Sequence, residues 1–284
     1  MTDTKQDEWT EIIKPQNPFW NVNINELWQY RDLILLFVWR DFVAVYKQTI
    51  LGPLWHVIQP VFTTLIFTLV FGKIAQMPTD GVPPILFYMS GITIWNYFSR
   101  CLTATSATFV SNAGIFGKVY FPRLTVPIAT VISGLVSFGI QLLLFLCIYL
   151  YYYVTSDNII PNYMLLLLPV VVVVMAIQGL SWGIIISSLT TKYRDLTQLI
   201  GFGVQLWMYV TPIILPLSAV PQKYRWVVEL NPITGLVEAF RYGFLGVGTI
   251  SYTILIFNGL FTVFLFIFGA MLFHKVEKNF MDTV

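Results

Sequence analysis

The chain has 284 residues, 57% of them hydrophobic and only 11% charged, with a formal net charge of +2. Ordinary soluble domains carry about 25% charged residues, so this composition excludes a water-dispersed globular protein and points to the bilayer as solvent. The small net charge excludes nothing; the placement of the charges along the chain is what informs.

Residues 1–26 are polar and hold five acids, so no cleavable signal peptide is expected there, and 1–23 reads as a cytosolic N-terminal segment. From 24 to 47 the chain turns apolar, but Arg40 and Asp41 interrupt a run already too short to cross. Asn23 and Glu26 offer a capping box ahead of it. This pattern predicts an amphipathic helix lying at the membrane interface.

The remainder, 48–284, reads as a transmembrane domain. A spanning helix needs about 20 mostly apolar residues. Six runs qualify: 54–76, 85–109, 124–153, 163–189, 196–215 and 250–273. Segments 1–53, 110–123, 190–195 and 274–284 carry eleven Lys and Arg residues, against four (Lys73, Lys223, Arg225 and Arg241) on the opposite side. The positive-inside rule then places both termini in the cytoplasm, which an even number of spans requires.

Between the last two runs, Pro216–Gly248 breaks into about 221–230 and 232–245, each too short to cross. Asn231 can cap the second piece and Pro232 is tolerated in its first turn. A helix, a break and a second helix with both ends outside form a re-entrant hairpin. Glu238 and Arg241, spaced i to i+3, can neutralise each other on its second half and hold the shape of an outer gate. The expected architecture is therefore an all-α integral membrane protein with six transmembrane helices per protomer, an N-terminal interface helix and a re-entrant helical hairpin before the last span.

Enzyme chemistry has no constellation to stand on. Gly72-Lys73 and Gly117-Lys118 lack the rest of a phosphate loop, and HExxH and GxSxG are missing. His56 and His274 are far apart, and Cys101 and Cys147 have no metal spacing. What remains is polar and aromatic stripes inside the runs. Thr93, Asn96, Arg100 and Thr103 share one helical face, as do Gln198, Gly201, Gln205 and Tyr209. Such faces avoid lipid and turn toward protein or water. Aromatic rings beside hydroxyls and amides suit sugar rings, which makes Tyr88, Trp95, Tyr97, Gln205, Trp207 and Tyr209 the substrate-channel candidates.

Three blocks of sequence resemble one family. Arg40-Asp41, the run 46–55 and Gln59-Pro60 form the first; 118–123 with Pro127 the second; Tyr193-Arg194-Asp195-Leu196, Gln205, Thr211-Pro212-Ile213, Pro216, Asn231-Pro232 and Phe240-Arg241 the third. They resemble, in order over about 31–246, the permeases of ABC transporters that export polysaccharides; in the third block Leu215 stands where an aromatic often precedes the proline. The resemblance implies a homodimer working with two copies of a separate nucleotide-binding ATPase subunit. ATP and Mg would then bind that partner, leaving this chain without cofactor or metal. It implies a lipid-linked glycan as substrate, moved across the bacterial cytoplasmic (inner) membrane, with no nucleic acid involved. O-antigen or capsule is the first reading, with teichoic acid or a small lipid or drug as alternatives. It also makes Arg40, Asp41, Lys118, Tyr120, Phe121, Arg123, Arg194 and Asp195 the ATPase-coupling candidates.

Overall fold

A computed structural model describes residues 24–47, 52–156, 159–190, 195–248 and 250–279, and every regular element among them is helical. Arg194 lies outside the described residues.

The chain enters through α1 (Ile24–Gln29) and α2 (Arg31–Tyr46), separated at Tyr30. α2 seats Phe37 inward and packs along α6 (Thr125–Thr155), while Trp28, Leu35, Leu36 and Trp39 remain exposed. Its outward side thus mixes apolar residues with exposed Arg31, Asp32 and Arg40. α3 (Trp55–Phe67) continues into π-helical turns at Thr68–Ile74. α4 (Pro84–Ser106) starts with proline at its first position, where the missing N–H costs nothing. The helix breaks at Ala107, and α5 (Thr108–Phe116) follows where a continuous run to 109 was expected.

α7 (Leu168–Thr190) is preceded by a 3-10 turn at Tyr163–Leu167. α8 (Leu196–Val210) stops five residues short of the expected 215, because Thr211 precedes Pro212 and takes an extended conformation. α9 (Gln222–Leu230) and α10 (Thr234–Leu245) flank the break at 231–233, and α11 (Tyr252–Asn279) closes the chain. Gly246, at φ +68, ends α10 in the left-handed conformation that glycine adopts without strain.

Among the described residues, four helical stretches are long and apolar enough to cross a bilayer: Trp55–Ile74, Thr125–Thr155, Tyr163–Thr190 and Tyr252–Glu277. α4 has comparable length, about 34 Å at 1.5 Å per residue. It is more polar because protein surrounds most of it: α3, α6, α7, α8 and α10 all pack against it. α8, at about 22 Å by the same rise, is short for a full crossing.

The tightest seam joins α4 and α7. A Cβ added to Gly179 would sit 2.5 Å from Cβ of Cys101, and one on Gly183 would sit 2.4 Å from Cβ of Thr105. This small-xxx-small pair lets the two backbones approach as membrane helices do when lipid offers no hydrophobic force between them. Gly183→Ala is therefore expected to cost about 1–3 kcal/mol by overpacking, read as a lower unfolding temperature in detergent. An exposed control, Gly203→Ala on α8, where no heavy atom lies within 4 Å of the added Cβ, should not lower it.

Candidate functional site

Two polar and aromatic assemblies stand out, one at an end of the long helices and one reaching to their mid-length. The first gathers α2, α5, the segment 117–124 and the end of α11. Arg40 donates to Asp41 Oδ1 at 2.8 Å and lies 4.7 Å over the Phe37 ring. Phe37 meets Phe121 at 5.7 Å, Phe121 meets Phe116 at 5.8 Å, Phe116 meets Phe109 at 6.0 Å, and Phe109 stacks on Phe273 at 4.6 Å. Five buried rings thus run unbroken from α2 to α11.

Arg123 lies 5.7 Å over Phe116 and reaches into α11. Its backbone N–H donates to Glu277 Oε1 at 3.4 Å, its Nη1 donates to the Glu277 carbonyl, and Nε lies 3.9 Å from Oε1. His274 Nδ1 contacts the other carboxylate oxygen at 2.8 Å. Burial pulls the Arg123 pKa down and Glu277 pushes it back up. Guanidinium nonetheless stays charged at any ordinary pH. Beyond this knot Lys118, Val119 and Tyr120 project as an exposed tip, and Asp195 is exposed at the start of α8.

The second assembly surrounds the break between α9 and α10. Asn231, buried, accepts from Trp207 Nε1 at 3.1 Å and from the Ile233 backbone N–H at 3.1 Å, and donates to Thr211 Oγ1 at 2.9 Å. Gln178 Nε2 donates to the Pro232 carbonyl at 3.1 Å and to Thr262 Oγ1 at 2.8 Å. Gln178 and Thr262 both lie well inside their helices, so the break sits near mid-length of α7 and α11. The two flanks return toward one end: Ser218 donates to Asp80 at 2.7 Å ahead of α4, and the Asn162 backbone N–H donates to the Gly243 carbonyl at 2.9 Å ahead of α7.

On α10, Arg241 Nη1 donates to Glu238 Oε1 at 3.0 Å with both side chains almost fully buried. The guanidinium lies 3.8 Å over the Phe87 ring of α4. A desolvated cation over an aromatic face is worth about 2 kcal/mol, which helps to offset its burial. Gly248 makes room for this pair, since a Cβ there would lie 2.6 Å from Glu238 Oε2.

The six channel candidates divide. Tyr88, Trp95 and Tyr97 on α4 are buried within one chain, with Tyr88 against Phe67 and Phe87, Trp95 against Phe98, and Tyr97 against Phe138. Trp207 is half-buried, edge-on to Phe98 and Trp182, with its N–H committed to Asn231. Gln205 and Tyr209 are exposed on α8, on the same face as exposed Gln198 and Gly201. In the α4 stripe, Thr93 and Thr103 bond back to their own helix, and Asn96 donates to Gln141 of α6 at 3.1 Å.

Sequence reasoning missed Glu277, His274 and four of the five rings (Phe37, Phe109, Phe116 and Phe273). One signal was present: Glu277 is the lone acid between Lys275 and Lys278, which had been read only for topology.

A helical bundle of apolar stretches, with a charged aromatic knot at one end and a polar-pinned helix break at mid-length, is a membrane protein of the transporter kind. Residues 32–245 match the ABC-2 type transporter family, and the chain belongs to it. It is 27% identical over 264 residues to the O-antigen export system permease protein RfbA of Klebsiella pneumoniae, covering 89% of this chain and 95% of that protein. The RfbA protein of Myxococcus xanthus is 26% identical over 77% of this chain and 82% of its own length. The polysialic acid transport protein KpsM of Escherichia coli is 22% identical over 82% and 89%.

Removing one partner of the buried pair leaves the other charge uncompensated. Arg241→Met should lower stability by about 3–5 kcal/mol, and Arg241→Met with Glu238→Leu should recover most of it. Thermal unfolding of the two variants checks this.

Proposed function

We propose that the chain is the membrane subunit of an ATP-driven exporter that moves a lipid-linked polysaccharide out of the cytoplasm, working as a homodimer with two copies of a separate ATPase. ATP and Mg are held by that ATPase. The observation that carries the reading is the exposed face of α8. Gln198, Gly201, Gln205 and Tyr209 are all exposed on it, and hydrocarbon penalises amide groups left facing it. Such a face is covered by a second copy or borders a wet path between the two. The names of the relatives, O-antigen and polysialic acid transporters, favour a glycan as what passes.

On this reading six helices span the inner membrane, α3, α4, α6, α7, α8 and α11, with both termini cytoplasmic and α2 lying at the cytoplasmic interface. α9 and α10 form a re-entrant hairpin at the outer mouth, where the Glu238–Arg241 pair holds α10 rigid. Support comes from the break lying at mid-length of α7 and α11 while both flanks return to one end. Gln205 and Tyr209 border the path, and the buried Tyr88, Trp95 and Tyr97 back its wall. The exposed tip at Lys118 and Tyr120, with Arg40 and Asp41 behind it, receives the push of the ATPase; Arg194 and Asp195 continue that surface.

Gln205→Leu with Tyr209→Ala should lower surface polysaccharide at least tenfold while the complex still assembles; unchanged surface polysaccharide would remove the channel assignment. Tyr97→Ala, by contrast, should act mainly through stability, at about 3–5 kcal/mol for a buried ring, seen as a lower unfolding temperature. Tyr120→Ala with Lys118→Ala, both exposed, should leave ATP hydrolysis running while export stops. Equal export and hydrolysis in that variant would overturn the coupling role.

A further inference from the structure

The end of α11 is built into the coupling knot, although it lies beyond the stretch 32–245 that matches the family. Arg123, only three residues past Tyr120, makes three contacts with Glu277: a backbone N–H to Oε1 at 3.4 Å, Nη1 to the carbonyl, and Nε to Oε1 at 3.9 Å. Glu277 is in turn fixed from its other oxygen by His274 at 2.8 Å. One turn back, Phe273 is fully buried and stacked 4.6 Å from Phe109, at the head of the ring chain that leads through Phe116 and Phe121 to Phe37. Both a partly desolvated ion pair and a close-packed aromatic stack therefore bind α11 to the segment that carries the exposed tip.

Close-packed aromatic chains transmit displacement because their members have no free volume to absorb it. An ion pair at an edge adds direction, since guanidinium and carboxylate meet in a limited set of geometries. The remaining links from this segment to the long helices run through α2 and the start of α6, where Thr125 Oγ1 caps onto the Pro122 carbonyl. α11 continues from this knot to α10, where Asn258 lies against Gly235; α6 and α7 also reach the hairpin, through Phe145 and Gln178, and α11 is distinguished by its ion pair with Arg123.

We infer that Glu277 is a positioning residue that locks the inner end of α11 to the Arg123 segment, making α11 the rod that carries ATPase movement to the α9–α10 hairpin. This rests on the exporter reading and names a transmission element within it. Glu277 acts through Arg123, which it holds by side-chain and backbone contacts.

The test uses the intact permease–ATPase complex. ATP hydrolysis and unfolding temperature are measured on the purified complex, and polysaccharide extracted from the surface of the native host strain is quantified on gels. Glu277→Gln should lower surface polysaccharide about tenfold at an unchanged unfolding temperature, with ATP hydrolysis continuing, and Glu277→Asp should restore at least half of it. Arg123→Glu with Glu277→Arg should export more than either single reversal.

Wild-type export by Glu277→Gln overturns the inference. A parallel fall of unfolding temperature and export also overturns it, because that would mark a packing role. Tyr120→Ala with Lys118→Ala separates the two levels. If it uncouples export and Glu277→Gln does not, only the α11 assignment falls; if it too exports normally, the coupling reading and this inference fall together.

Discussion

A polar group shut away from water must find its partner in protein, and the break between α9 and α10 is where this constraint bears hardest. Two helices end there, exposing carbonyls and N–H groups in the interior. Asn231 answers with its own side chain, bonding Trp207, Thr211 and the Ile233 N–H, while Gln178 reaches across from α7 to the Pro232 carbonyl. The break is thereby a joint among α7, α8 and α11, since the same Gln178 amide also holds Thr262. Without those amides the chain could not turn at this depth, and α10 could not present Arg241 to Phe87.

The two ends of the molecule solve the charge problem differently. Arg241 is sealed, with its carboxylate on the same helix and an aromatic face beneath it. Arg123 remains partly open, is shared between side-chain and backbone acceptors of Glu277, and stands beside an exposed tip. A sealed pair gives rigidity, because any motion would expose an unpaired charge to low dielectric. A half-open pair tolerates adjustment, because water can make up what geometry loses. The proposed roles of gate brace and coupling clamp follow this difference.

Local features of the fold were legible in the sequence. The apolar runs, the helical segment at 24–47 and the break at Asn231–Pro232 all follow from hydropathy, length and backbone rules for Asn and Pro, and the helices begin or end within a few residues of those marks. The i to i+3 spacing likewise anticipated the Glu238–Arg241 contact. Pairings over long separations were not legible. Arg123 and Glu277 lie 154 residues apart, and Asn96 and Gln141 lie 45 apart. Periodicity reports which face of a helix is apolar, never which other helix covers it. For that reason the α4 aromatics, read as channel lining, turn out to be packed within the single chain, and the five-ring chain went unread although each of its members was in plain view.

Meshing of α4 with α7 has a mechanical side as well. At Gly179 and Gly183 the backbones touch where any side chain would collide, so this pair has one register and can neither slide nor twist. α9, by contrast, buries none of its side chains, and α8 has few neighbours. Within one subunit α4 and α7 therefore form a fixed spine, and the movement proposed for α11 runs past this pair, not through it.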